Sequence, residues 1–288
     1  MATQATPEIS PLVPALGPEH AVVWPKRTRL TLKNGLEVVL AESHNIPKFT
    51  GELYFRSGNA ATALDVPGLA EITANVLRTA TTSRTSRQIE EALRRMGADL
   101  STAAGADNSA ISFSGLTEFS GDLLTLVAEL AQSALFPEDE FERERRQTLE
   151  GLRLERTTPS FLASERLRHV LFGAHPYAVV SPTEAQVESY QRSQLVDFYR
   201  AHYRPANALL VIAGDFASGE MMAEIERIFG GWNGAEAPPT PNPPLPAVHG
   251  RRLYLVHRPE GVQTQIVLAS AVAPPDSPFL YLADAHGG

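Results

Sequence analysis

The chain contains no cysteine. That absence removes disulfides, thiolate metal ligands and cysteine nucleophiles together, and it leaves the compartment open. No apolar run approaches the roughly 18 residues of a membrane span. No lysine or arginine run stands out and the formal charge is -8, so nucleic acid is not an expected partner. There is no Gly-x-Ser-x-Gly elbow, no P-loop and no Gly-x-Gly-x-x-Gly. None of the eight histidines forms an i, i+4 pair that could grip a metal ion. Met1 to Ala21 carries four prolines and lacks a basic stretch followed by an apolar core. Residues 1–27 therefore read as a flexible leader rather than a signal peptide. If the natural protein is exported, its signal is missing from this sequence.

What remains is ordinary globular material: 288 residues, 43% hydrophobic and 20% charged. That is enough for one large domain or two smaller ones. Thr28–Leu32 and Leu36–Ala41 flank Lys33-Asn34-Gly35, a hairpin signal because Asn-Gly tolerates positive φ. Phe49–Arg56 reads as a third strand. Leu69, Ile72 and Val76 fall at helical spacing within Gly68–Ala80. Ser86–Arg95 reads as a second helix, capped by Ser86 and stopped by Gly97. Leu100–Ala104 and Ser109–Gly115 read as short strands around a polar turn. Ser120–Leu135 is an amphipathic helix. Pro137 opens another, with Glu138-Asp139-Glu140 at the positive end of its dipole, running to about Arg156. Ser160–Phe172, Ser193–His202 and Gly219–Phe229 read as helices, Gly230-Gly231 as a C-cap and Ala208–Gly214 as a buried strand. This order predicts an α+β fold, with helices packed on one face of a mostly antiparallel sheet.

Ala235–Val248 holds six prolines and reads as a linker, taken as residues 235–250. Arg252–His257 and Gln263–Val272 then look like two new strands. Residues 251–288 are too few for a core of their own, so they read as the start of a truncated second domain after a first domain spanning 28–234.

Several segments together resemble the N-terminal domain of the M16 peptidases (the pitrilysin, insulinase and mitochondrial processing peptidase group). Leu30-Thr31-Leu32-Lys33-Asn34-Gly35-Leu36 resembles the opening hairpin. Arg56-Ser57-Gly58-Asn59, followed by Pro67-Gly68-Leu69-Ala70, resembles the approach to the metal helix. Phe136-Pro137-Glu138-Asp139-Glu140-Phe141, His175-Pro176-Tyr177, and Tyr203-Arg204-Pro205-Ala206-Asn207 with Gly214-Asp215 follow in the same order. The resemblance implies a LuxS/MPP-like metallohydrolase fold.

The family's zinc site is an inverted motif, His-x-x-Glu-His, whose histidines share a helix face and whose glutamate activates the zinc-bound water. A glutamate on a later helix completes the ligand set. By this resemblance, Glu71 stands at the first histidine, Ala74 at the base and Asn75 at the second histidine. Glu144 matches the first of two glutamates seven apart, which puts Gly151 at the third ligand; Glu150, one residue away, is the alternative. Alanine moves no proton, and two oxygen donors without imidazole suit zinc poorly. The expectation is a degenerate member with no catalytic residue, no cofactor and no metal. Glu71, Asn75 and Arg78 would form a plain polar helix face.

The resemblance also implies an edge strand beside that helix on which peptide pairs, here Ser101, Thr102 and Ala103; an unused, capped edge is the competing reading. Three functions stay open. The chain is a partner subunit of an active M16 peptidase around a shared chamber, a scaffold protein of the respiratory core-subunit type, or a zinc-dependent endopeptidase with unconventional ligands. A bacterial periplasmic setting is implied only by the resemblance; cytoplasm is the alternative. His169 and His175 read as capping or packing histidines. Glu138–Arg156 reads as a solvated face with i, i+4 ion pairs.

Overall fold

The computed structural model describes residues 25–234, 236–246, 250, 252–257 and 264–269. The chain opens with the hairpin that Asn-Gly forecasts: β1 (Arg27–Thr31) pairs antiparallel with β2 (Glu37–Glu42). The loop closes where the Leu32 N–H donates to the Leu36 carbonyl at 2.9 Å, and Gly35 takes φ 90°. Asn34 anchors the loop by donating to the Phe229 and Trp232 carbonyls at 2.8 and 2.9 Å.

β3 (Lys48–Phe55), β5 (Asp99–Ala104), β6 (Ser109–Leu116) and β8 (Ala208–Gly214) complete a six-stranded sheet in the order β1-β2-β8-β3-β6-β5. β8 inserts between β2 and β3, parallel to the first and antiparallel to the second. All other pairings are antiparallel. The sheet is therefore mixed. A second ribbon joins β4 (Ala80–Thr81) to β7 (Ala134–Leu135).

Alternation in the strands decides which face is covered. Phe49, Leu53 and Phe55 on β3 are buried with Val38, Leu40, Ile111, Phe113, Leu210 and Ile212. Thr50, Glu52 and Tyr54 between them stay exposed or half-buried. The apolar face takes α1 (Leu69–Leu77), α3 (Ser120–Ser133) and α8 (Ser218–Phe229), which touch β5 and β6, β6, and β2 respectively. Outside them lie α2 (Ser86–Met96), α4 (Glu138–Glu155), α5 (Pro159–Phe172), α6 (Glu184–Ser189) and α7 (Arg192–His202).

Several local expectations need correction. Thr85, not Ser86, caps α2, because Gln88 reaches back to close a capping box. α1 stops at Leu77, and α3 gives way at Ala134 to the ribbon, which carries no local signature. α6 has no counterpart among the expected helices. The acidic and basic residues of α4 pair at i, i+3 (Glu140 with Arg143, Glu142 with Arg145) and outward to Glu184 and Glu165, rather than at i, i+4. Residues 252–257 and 264–269 carry no strand, and the rest of the two strands expected after the linker lies outside the described residues. The proline-rich stretch 236–246 is free of helix and strand.

Candidate functional site

α1 is preceded by Gly68 at its N-cap, whose φ of 83° favours glycine, and runs against β5, β6, α4 and α7. Leu69, Ala70, Ile72, Thr73, Ala74, Val76 and Leu77 are buried, while Glu71, Asn75 and Arg78 are exposed. The three polar residues thus share a strip, as their spacing of four and three predicts.

α4 faces that strip. The Asn75 amide donates to Glu144 Oε1 at 2.7 Å, joining the two helices. At about 100° per residue, Gly151 and Glu155 fall in line with Glu144, whereas Glu150 is turned well away. A Cβ at Gly151 would meet no atom within 4 Å apart from its chain neighbours and the backbone of its own helix, so α4 leaves open space there. Glu71 is exposed on one side but also lines a hollow of about 40 Å³ with Asn59, Pro67, Ser181 and Pro182. Burial, then Glu155, then Glu144 push its carboxyl above the usual range. Ala74, fully buried, offers no polar atom. Among the described residues, no three His, Asp or Glu side chains converge closely enough to hold a metal ion. Glu155 is the member of this cluster that motif reasoning misses; its signal is the helical phase it shares with Glu144.

β5 is the edge of the sheet next to α1. The Arg78 guanidinium donates to the Leu100 carbonyl at 2.9 Å and lies 3.4 Å from Glu90. That bond shows the Leu100 carbonyl pointing outward. Antiparallel alternation then turns the backbone groups of Thr102 and Ala104 outward as well, and those of Ser101 and Ala103 inward to Ser112 and Ala110. Of Ser101, Thr102 and Ala103, only Thr102 presents its backbone to the edge; Ala104, at the end of the same strand, does so as well. At the far end, the Asn59 and Ala60 N–H groups donate to the Gly105 and Ala106 carbonyls at 2.9 and 2.7 Å. Tyr177 ties the same hairpin tip by a 2.5 Å bond to Asp107, which raises its phenol to about 12.

His175 is buried. Its Nδ1 accepts the Tyr177 N–H at 3.1 Å and its Nε2 lies 3.1 Å from Asn242 Oδ1, so it caps and packs as expected. His169 sits in the last turn of α5, exposed.

A family model for insulinase (peptidase family M16) matches residues 37–177, and one for the peptidase M16 inactive domain matches residues 189–285. The chain belongs to peptidase family M16. A protein described as an uncharacterized zinc protease of Rickettsia bellii is 24% identical over 199 residues, covering 69% of this chain and 48% of that protein. Cytochrome b-c1 complex subunit 1 of Bos taurus is 23% identical over 263 residues, covering 88% of this chain and 54% of that protein. The crystal structure of a peptidase M16 inactive domain from Pseudomonas fluorescens superposes with a TM-score of 0.70 at 24% identity, covering 76% of this chain and 54% of that chain. The chain spans about half the length of the curated relatives it matches. No helix among the described residues is long and apolar enough to cross a membrane.

Proposed function

We propose that this chain is a non-catalytic M16 homologue that serves as the partner subunit of an active M16 zinc peptidase, contributing chamber wall and peptide contacts. The observation that carries the reading is the α1–α4 contact. Where the family's motif calls for two imidazoles, a general base and a carboxylate, the chain has Glu71, Asn75, Ala74 and Gly151. Asn75 spends its amide on Glu144. Burial, then the like charges of Glu155 and Glu144, hold the Glu71 carboxyl above its usual range. This donor set does not fit zinc. Thr102 and Ala104 still offer main-chain pairing, which requires no special side chain.

A scaffold role is the second reading, favoured by the match to a cytochrome b-c1 complex subunit. The zinc-protease names of other relatives favour a third, an enzyme with unconventional ligands. Affinity capture from the native extract, with peptide hydrolysis measured on whatever is recovered, separates them. A stoichiometric partner carrying His-x-x-Glu-His, with hydrolysis by the pair, supports the proposal. Recovery of the chain alone, or in an assembly without such a partner, rejects it in favour of the scaffold.

A further inference from the structure

We propose that Arg78 is a built-in competitor for the peptide-pairing edge, limiting any added strand to Thr102 and Ala104. The inference rests on the peptide-contact part of the function above and assigns it a specificity-determining residue. An added strand bonds to the outward N–H and C=O groups of alternate residues. Along β5 these belong to Leu100, Thr102 and Ala104, and the Leu100 carbonyl is already taken by the guanidinium at 2.9 Å.

Two features make that contact a standing one. Arg78 sits at the C-cap of α1, so its backbone is fixed against the strand it covers. Its second guanidinium nitrogen lies 3.4 Å from Glu90 on α2, which holds the side chain across the edge. The opposite end of the window is closed by Asn59 and Ala60 on Gly105 and Ala106. Among the described residues, no backbone group outside the sheet bonds the Thr102 or Ala104 N–H. The open edge is therefore short and walled at both ends, a device that also discourages edge-to-edge association.

The test is binding of a short fluorescent peptide alternating threonine and glutamine, amidated at its C-terminus. The probe carries no charged side chain, so removal of the arginine charge does not by itself alter its affinity. Wild type, R78A and T102P are compared by fluorescence anisotropy, with circular dichroism to confirm folding. R78A exposes one more carbonyl and should bind about two- to tenfold tighter, the scale of one hydrogen bond. T102P should abolish binding, because proline removes the outward N–H. If T102P abolishes binding but R78A binds no tighter than wild type, Arg78 is not a competitor and the inference falls while edge pairing stands. If T102P binds like wild type, or no variant binds, edge pairing itself fails and takes the inference with it.

Discussion

Removal of the Ser57 hydroxyl should destabilise the fold well beyond a surface substitution, because that oxygen knots two distant segments. Ser57 is 1% exposed and His202 is 6% exposed. Ser57 Oγ receives the Asn207 amide at 3.1 Å and lies 2.9 Å from His202 Nδ1. The hydroxyl proton finds its acceptor at Nδ1 if the imidazole is neutral, and burial lowers the His202 pKa in keeping with that. In S57A, the Asn207 amide keeps its 2.8 Å bond to the His202 carbonyl, but the buried Nδ1 loses its partner. An unpaired buried polar atom costs about 1–3 kcal/mol. For a domain of this size that lowers Tm by roughly 2–12 °C. Urea and thermal unfolding followed by circular dichroism measure it.

The pH dependence gives an independent check. A histidine with a depressed folded pKa costs stability as pH falls below its unfolded value of about 6.5, because the unfolded chain binds the proton more readily. His44 works in the opposite direction: Asp215, 2.7 Å away, raises its pKa, so its contribution is present at low pH and lost as pH rises through the folded value. The two overlap in the wild-type curve, so the difference between wild type and H202F isolates His202. That difference should shift in favour of H202F as pH falls from about 7.5 to about 5. An S57A variant within about 0.5 kcal/mol of wild type, together with a pH-independent difference for H202F, would refute the reasoning.

Two further perturbations probe the α1–α4 contact. Because Glu71 has a raised folded pKa, its ionisation cost is absent below the unfolded value and fully present above the folded one. E71Q should therefore stabilise at neutral pH by a few tenths of a kcal/mol, the scale of partly exposed charges, with the gain vanishing in acid; a constant gain across pH would count against it. E71H/N75H/G151E should bind one zinc per chain, since the histidines share a face and the Gly151 site is open; a folded variant without zinc affinity would show that these positions do not converge.

Local chemistry made much of the fold legible. Asn34-Gly35 marks its own turn, Gly97 its own C-cap with φ 57°, and the apolar stripe of α3 its own buried face. Long-range pairing was not legible in this way. Nothing within Ala208–Gly214 says that it enters the sheet between β2 and β3, because that register is chosen by partners more than 150 residues away. The same limit applies to the edge. Motif alignment leads to β5, but which of its residues turn outward depends on the phase of its ladder with β6. The Arg78 contact that reveals the phase joins a helix end to a strand 22 residues later.

The most direct test of a non-catalytic M16 chain is the zinc content of the purified protein, measured with its ability to cleave unfolded peptide with and without a chelator. The prediction is no stoichiometric zinc and no cleavage in either condition. One tightly held zinc per chain, with cleavage lost on chelation, would contradict it.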